Sequence, residues 1–208
     1  TFSLFFIFLF NKKKTTFKII VLPNFLWFMG KHNNIYSGTE SLSSSISFYA
    51  NKHITCAEGG AFITNDTFIY NKIKSFCRQG ITNKKFIHNV MAFNYRLNNV
   101  NAAILFSQLE KLDEIIEKKK KIYLYYLKLL KKNKNVVIQK IMPNTEHSYW
   151  LIGVNFQNTS YSYEEINDIF RDNNIEIRPF FYDIRKHEHL KDIKILDDKN
   201  FNNNIILL

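Results

Sequence analysis

The sequence predicts a mixed α/β chain whose C-terminal part is a compact α+β unit. Three observations carry this expectation. Ser43 to Asp66 reads as two strand-like runs on either side of a polar turn. Asn99 to Asn133 is the longest stretch with apolar residues near helical spacing. Residues 135–181 then follow the order strand, strand, helix, strand. The chain has 208 residues and is 46% hydrophobic with 16% aromatics, enough for one large or two small domains with a buried core.

Residues 1–35 are Phe/Lys/Asn-rich and show no clear helical periodicity. Within them, TFSLFFIFLF at Thr1 to Phe10 is too short to span a bilayer. It lacks a basic leader and a small-residue cleavage site, and Lys12 to Lys14 follow it, the wrong order for a secretory signal. A short membrane-associated tail is the minor alternative there. Phe17 to Leu22 reads as a strand stopped by Pro23.

The next run contains Ile46 and Phe48, passes through Lys52, turns at Glu58-Gly59-Gly60 and resumes over Ala61 to Thr64. On spacing alone, this is an ordinary β-connection with a solvated lysine. Thr67 to Cys77 reads as a helix capped by Asp66 or Thr67, with Phe68, Ile69, Ile73 and Phe76 on one face and Gly80 ending it. A loop follows over Lys84 to Met91.

In the long helical stretch, Ala103, Phe106, Leu109, Leu112 and Ile116, then Ile122, Tyr126, Leu129 and Leu130, set the apolar face. Lys118 to Lys121 interrupts it and reads as a solvated face. Asn135 to Lys140 alternates like a strand, and Ser148 to Phe156 reads as a stronger one. Ser162 and Glu165 form a capping-box pattern for a helix over Glu164 to Asp172. Ile175 to Phe181 returns as a strand, and Asp192 to Leu208 is an Asn/Asp-rich end that reads as frayed.

The order of residue types at the lysine is more specific than its spacing. Ser47-Phe48-x-x-x-Lys52-x-Ile54-Thr55-x-x-Glu58-Gly59-Gly60 resembles the cofactor-lysine segment of the DegT/DnrJ/EryC1/StrS family, the pyridoxal-phosphate sugar-nucleotide aminotransferases. The resemblance implies a fold-type-I, aspartate aminotransferase-like transferase, here the end of its large domain plus the small α+β domain. It makes Lys52 the Schiff-base lysine and Ser47 a hydroxyl on the cofactor phosphate. Such chemistry suits a lysine whose amine is made less basic by burial or nearby cations. Cys56 stands where a Ser or Thr is usual and reads as a size-tolerant replacement.

Phe93-Asn94-Tyr95-Arg96-Leu97-Asn98-Asn99-Val100-Asn101-Ala102-Ala103 resembles the family's second hallmark. There the loop reaches across a homodimer toward the neighbour's cofactor, which implies cofactor-phosphate contacts for Arg96 and Asn94. A planar guanidinium suits phosphate. The plain alternative is a helix N-terminal loop with Asn98 or Asn99 capping and Arg96 solvated. Ile175 to Tyr182 resembles a late substrate segment, implying that Arg178 faces the nucleotide sugar; a strand-end Arg before Pro179 is the alternative.

The resemblance covers roughly residues 35–190 and only the C-terminal half of such an enzyme. It divides the chain into an atypical segment at 1–34, out of frame or disordered, a large-domain part with its linking helix at 35–132, and a small domain at 133–208. It implies pyridoxal 5'-phosphate as cofactor, a nucleotide-linked keto-deoxy sugar and glutamate as substrates, and a homodimer. In the family, an Asp near the strand end before the motif pairs with the pyridine nitrogen. Counting back from Gly38 it should fall near 21–28, where VLPNFLWF holds no acid and Asn24 is the nearest polar group. The reading is therefore a truncated aminotransferase, with a non-catalytic remnant retaining dimerisation or weak nucleotide-sugar binding as the alternative.

Net charge is +11. Lys, Asn, Ile, Phe and Tyr are abundant together, as in A/T-rich coding sequence, which weakens a nucleic-acid reading. Tyr123, Tyr125 and Tyr126 beside Lys118 to Lys121 give only a weak version of the interleaved pattern that such binding needs. Neither a nucleic acid nor a membrane is expected as partner. Two cysteines, Cys56 and Cys77, match no metal motif and no disulfide scaffold, and imply reduced thiols in a cytoplasmic compartment. His187 and His189 have metal-compatible spacing with nothing to join them, so no metal is expected.

Overall fold

The computed structural model describes residues 6–10, 29–81, 83–84, 86–182, 186–190 and 205–208, the first of these as backbone only. The expected strand at Phe17 to Leu22, Asn24 with its segment 21–28, and most of the Asn/Asp-rich end lie outside the described residues. The chain forms two compact units. The first comprises Thr1–Lys119 with Ile141–Trp150, and the second Lys120–Lys140 with Leu151–Leu208.

In the first unit, β1 (Phe6–Phe10), β5 (Gly60–Thr64) and β4 (Ser43–Ser47) form a sheet in the order β1-β5-β4. β1 runs parallel to β5, with Phe6 opposite Gly60, and β4 runs antiparallel to it, with Ser47 opposite Gly60. The sequence does not predict β1, because a continuous apolar run has no alternation to betray a strand. A second small sheet, β3-β2-β7, joins the hairpin β2 (Lys31–His32) and β3 (Ile35–Tyr36) to β7 (Thr145–Glu146). The hairpin turns on Asn33 and Asn34, both left-handed, a conformation that asparagine tolerates.

Helix α1 (Thr67–Cys77) has the predicted bounds, with the Asp66 carboxylate accepting from the Ile69 amide at 2.9 Å as N-cap. Gly80 is not its first residue past the end. Gln79 takes the left-handed position at φ 62°, and the Gly80 amide then closes onto the Ser75 carbonyl at 2.9 Å.

The long helical stretch is two helices, α2 (Asn99–Leu109) and α3 (Leu112–Leu130). No Pro or Gly marks the break. It falls where one face must follow a single core: Phe48, Ile54, Cys56, Ala61 and Leu105 are buried together, and Leu112 and Ile115 pack against them. Gln108, at the end of α2, is also held by its side-chain oxygen, which accepts from the Thr55 amide at 2.9 Å. The lysine run stays helical, and Lys118 pairs with Glu114 one turn away at 2.6 Å.

The second unit contains the sheet β6-β8-β10-β9, built from β6 (Val136–Ile138), β8 (Gly153–Phe156), β9 (Arg178–Pro179) and β10 (Ile205–Leu207), with all neighbours antiparallel. Val154 and Ile206 are fully buried at its centre. Helix α4 (Tyr163–Asp172) starts with the predicted capping box, in which Ser162 and Glu165 satisfy one another's backbone amides. Its inward residue is Ile166, and Phe170 meets Phe156 edge to face at 6.4 Å between centroids. The strand expected over Ile175 to Phe181 shrinks to two residues, and that expected over Ser148 to Phe156 shrinks to four. The lost half of the latter is committed elsewhere, as shown next.

Candidate active site

Lys52 sits on the turn that leaves β4. The Lys52 amide donates to the Tyr49 carbonyl at 3.0 Å, and the Phe48 carbonyl accepts from both the Cys56 amide, at 3.1 Å, and the Thr55 hydroxyl, at 3.0 Å. The turn is therefore closed by backbone bonds on both sides of the lysine. Ser47 lies at the end of β4, half-buried, with its hydroxyl oxygen accepting from the Tyr49 amide at 3.3 Å.

Ile54 and Cys56, which flank the turn's far end, are completely buried and anchor it to the core. At Gly59 a Cβ would fall 2.5 Å from the Cys56 sulfur and 3.2 Å from Leu97 Cδ1, so the glycine is required for close approach, not for a special backbone angle. Burial raises the Cys56 thiol above its ordinary value, which keeps it protonated and poorly nucleophilic.

The Lys52 side chain is half-buried, and this burial lowers the amine below its ordinary value. Its Nζ lies 3.7 Å from the centre of the Trp150 ring. Trp150 Nε1–H donates to the Asn51 carbonyl at 2.7 Å, and the ring of His53 bonds the Ser148 carbonyl through Nε2 at 2.6 Å. Ser148 to Trp150 thus runs along the lysine turn instead of extending β8. Tyr149 between them is left-handed at φ 56°, unusual for an aromatic residue.

Burial is also the main reason why His53 and His147 are held below the ordinary histidine value; Lys119 and Lys52 push His53 further down, and His53 pushes His147. The sequence alone does not single out His53, His147 or Trp150. His53 occupies an unspecified position of the lysine motif, and Trp150 was hidden in an apparently regular strand.

The second motif joins the first through its helix. The Asn98 side chain caps α2 by accepting from the Asn101 amide at 2.8 Å, and the Asn101 side-chain amide donates to the Glu58 carbonyl at 3.2 Å. Leu97 packs on the buried cluster. The loop before it is tied to the end of α1, with the Phe93 and Tyr95 amides donating to Phe76 and Cys77 carbonyls.

Asn94 and Arg96 are exposed, and Arg96 Nε donates to the Asn94 side-chain oxygen at 2.9 Å. Among the described residues, no hydrogen bond or ion pair joins either to Ser47 or Lys52. Arg178, in the other unit, is exposed and pairs with Glu176 at 3.3 Å. The second unit also has a half-open cavity of about 500 Å³ between Asn135, Phe156, Tyr161 and Phe170, which none of the sequence-predicted site residues lines. Of the tyrosines beside the lysine run, Tyr123 is buried with its hydroxyl donating to the Gln139 carbonyl at 3.3 Å, whereas Tyr125 is exposed. Among the described residues no group of three or more His, Cys, Asp or Glu could hold a metal ion, and no helix is long and apolar enough to cross a membrane.

The chain is 36% identical over 160 residues to a GDP-perosamine synthase of Escherichia coli O157:H7, covering 76% of this chain and 43% of the relative. It is 36% identical over 106 residues to a UDP-4-amino-4,6-dideoxy-N-acetyl-beta-L-altrosamine transaminase of Helicobacter pylori, covering 50% of this chain and 28% of that one. The chain thus spans less than half the length of these relatives.

Among solved structures, Helicobacter pylori PseC, an aminotransferase involved in the biosynthesis of pseudoaminic acid, superposes with a TM-score of 0.78 at 24% identity, over 86% of this chain and 51% of that one. A DegT DnrJ EryC1 StrS aminotransferase from Brucella abortus superposes with a TM-score of 0.75 at 19% identity, over 87% of this chain and 49% of that one. These likenesses establish the fold. The model of the DegT/DnrJ/EryC1/StrS aminotransferase family matches residues 30–203, and the chain belongs to that family.

Proposed function

We propose that this chain carries the lysine half of a pyridoxal-phosphate aminotransferase site acting on a nucleotide-linked keto-deoxy sugar, with glutamate as amino donor. The observation that carries the reading is Lys52, a half-buried amine of lowered basicity on a turn closed by backbone bonds on both sides. That donor set fits two ends of the cofactor. The amine suits its aldehyde, because a larger neutral fraction at neutral pH makes a better nucleophile. The Ser47 hydroxyl, on the same strand and turn, suits its phosphate. When bound, the cofactor supplies an electron sink.

The chain's own residues do the rest. Lys52 holds the cofactor and, once displaced by the amino donor, takes and returns the proton that moves during transfer. The backbone bonds around the turn keep Lys52 and Ser47 in fixed relation. Asn94 holds Arg96 by its Nε, leaving the terminal nitrogens for a phosphate of a second copy's site. A homodimer is consistent with the apolar residues left exposed around this loop and on α2, among them Phe86, Met91, Val100 and Phe106. Arg178 is assigned to the nucleotide sugar, whose diphosphate suits a guanidinium. The sugar-nucleotide names of the relatives support that substrate class.

The second reading, a non-catalytic family member, is favoured by one observation: no Asp or Glu occurs before Glu40, so none stands at 21–28 to face the pyridine nitrogen. Transfer of nitrogen-15 from labelled glutamate to a nucleotide-linked keto sugar tests both. Transfer by the full chain that is lost in Lys52→Arg supports the enzyme. Retained nucleotide-sugar binding with no transfer selects the second reading.

A further inference from the structure

We propose that Trp150 is a positioning residue for Lys52, holding the lysine ammonium against the face of its indole ring while its Nε1–H fixes the turn that carries the lysine. The inference deepens the proposed function and rests on Lys52 as the cofactor-bearing residue.

One side chain makes both contacts. Its nitrogen bonds the Asn51 carbonyl at 2.7 Å, and its ring centre lies 3.7 Å from the Nζ of the very next residue. The segment that presents it is pinned a second time, by the His53 ring on the Ser148 carbonyl at 2.6 Å. Between these pins Tyr149 is held left-handed, a conformation that an aromatic residue adopts only where its surroundings over-determine it. The residues that should lengthen β8 are thus diverted, against local preference, to place an indole on the lysine.

The contact discriminates between the two forms of the amine. A ring face attracts an ammonium through its quadrupole and has no such attraction for a neutral amine. Among the described residues no carboxylate pairs with Lys52, so the ring takes the place of a counter-ion. Among the described residues, the titratable groups coupled to this turn are His53 on the turn itself, His147, which feels His53, and Lys119 from α3, all basic. Burial drives the proton off, and the indole retains it. Loss of the proton frees the amine from the ring, which is the state that attacks a carbonyl.

The test uses the full chain without cofactor. Lysines are acetylated with limiting acetic anhydride across a pH series, and the rate at Lys52 is read by peptide mass mapping against the exposed helix lysine Lys128. Trp150→Phe keeps a weaker ring face, and Trp150→Leu keeps apolar cover with no ring. At about pH 8, Lys52 should label about threefold faster in the Leu variant, with the Phe variant between it and the parent. The pH midpoint at Lys52 should fall in the same order. An unchanged Lys52 rate in both variants overturns the proposal. So does a rise matched by alkylation of the buried Cys56, which would report general loosening.

A measurement that leaves Trp150 in place covers variants that do not fold. With the other tryptophan replaced in Trp27→Phe, Trp150 emission should titrate with Lys52, and Lys52→Met should abolish that step. A step that survives Lys52→Met overturns the contact. Neither readout needs cofactor, so failure here is distinct from failure of Lys52 to carry one.

Discussion

The Nε2 of His53 and the carbonyl oxygen of Ser148 lie 2.6 Å apart, although 95 positions separate the two residues in the chain. The contact needs Nε2–H as donor and by itself favours protonation, but burial outweighs it and, with the smaller push of Lys119 and Lys52, holds the ring below its ordinary value. His147 is held below its ordinary value chiefly by burial and then by His53.

The sign of the pH dependence follows. Both histidines titrate lower in the folded chain than the ordinary 6.5 they regain on unfolding. Above 6.5 both states are neutral and the stability is fully present. As pH falls from 6.5 through the lowered folded values, the unfolded chain takes up protons first and stability is lost. Urea midpoints should fall steadily on acidification through this window, and His53→Gln should flatten part of the fall. A midpoint that rises on acidification, or a slope unchanged in His53→Gln, contradicts the assignment.

Gly59 and Cys56 should be energetically coupled. A methyl group at Gly59 meets the Cys56 sulfur at 2.5 Å, inside any real contact distance. Gly59→Ala should destabilise by about 1–3 kcal/mol in the parent, as overpacking does. In a Cys56→Ala background the obstructing atom is gone, and the added cost should shrink. A double-mutant cycle by chemical denaturation measures the difference.

Leu105 is 1% exposed and packs with Phe48, Ile54, Cys56 and Ala61 beneath the lysine turn. Leu105→Ala should cost about 2–5 kcal/mol through lost burial and the cavity left behind. Because the same cluster seats Ile54 and Cys56, the variant should also make Lys52 less selective in amine labelling.

Ser162 opens α4 by accepting from the Glu165 amide. Ser162→Ala should destabilise by about 1 kcal/mol. Thr at this position should restore most of the loss, whereas Glu165→Ala should remove only the return bond of the box. Thermal denaturation of the three variants orders these effects.

The local signals in the sequence were legible where a short-range rule decides the structure. Asp66 capping α1, the Ser162–Glu165 box and the run of β5 each depend on neighbours within a few residues. The lysine motif was legible because its residue order is specific. What was not legible was set by distant partners. The α2–α3 break follows a core assembled from Phe48 to Ile115, not a helix-stopping residue. Ser148 to Trp150 has strand-like composition yet leaves the strand, since its polar groups bond to Asn51 and His53 about a hundred positions earlier. The roles that the resemblance implies for Arg96 and Arg178 depend on a second copy and a bound sugar, and the structure describes both side chains as exposed.

The central claim is that Lys52 is the residue that carries the cofactor. Titrating the chain with pyridoxal phosphate, reducing with borohydride and mapping the modified peptides tests it most directly. The account predicts a saturable absorbance change and a reduced cofactor concentrated on Lys52, both lost in Lys52→Ala. Label spread over the many surface lysines, equally in the parent and in Lys52→Ala, would contradict it.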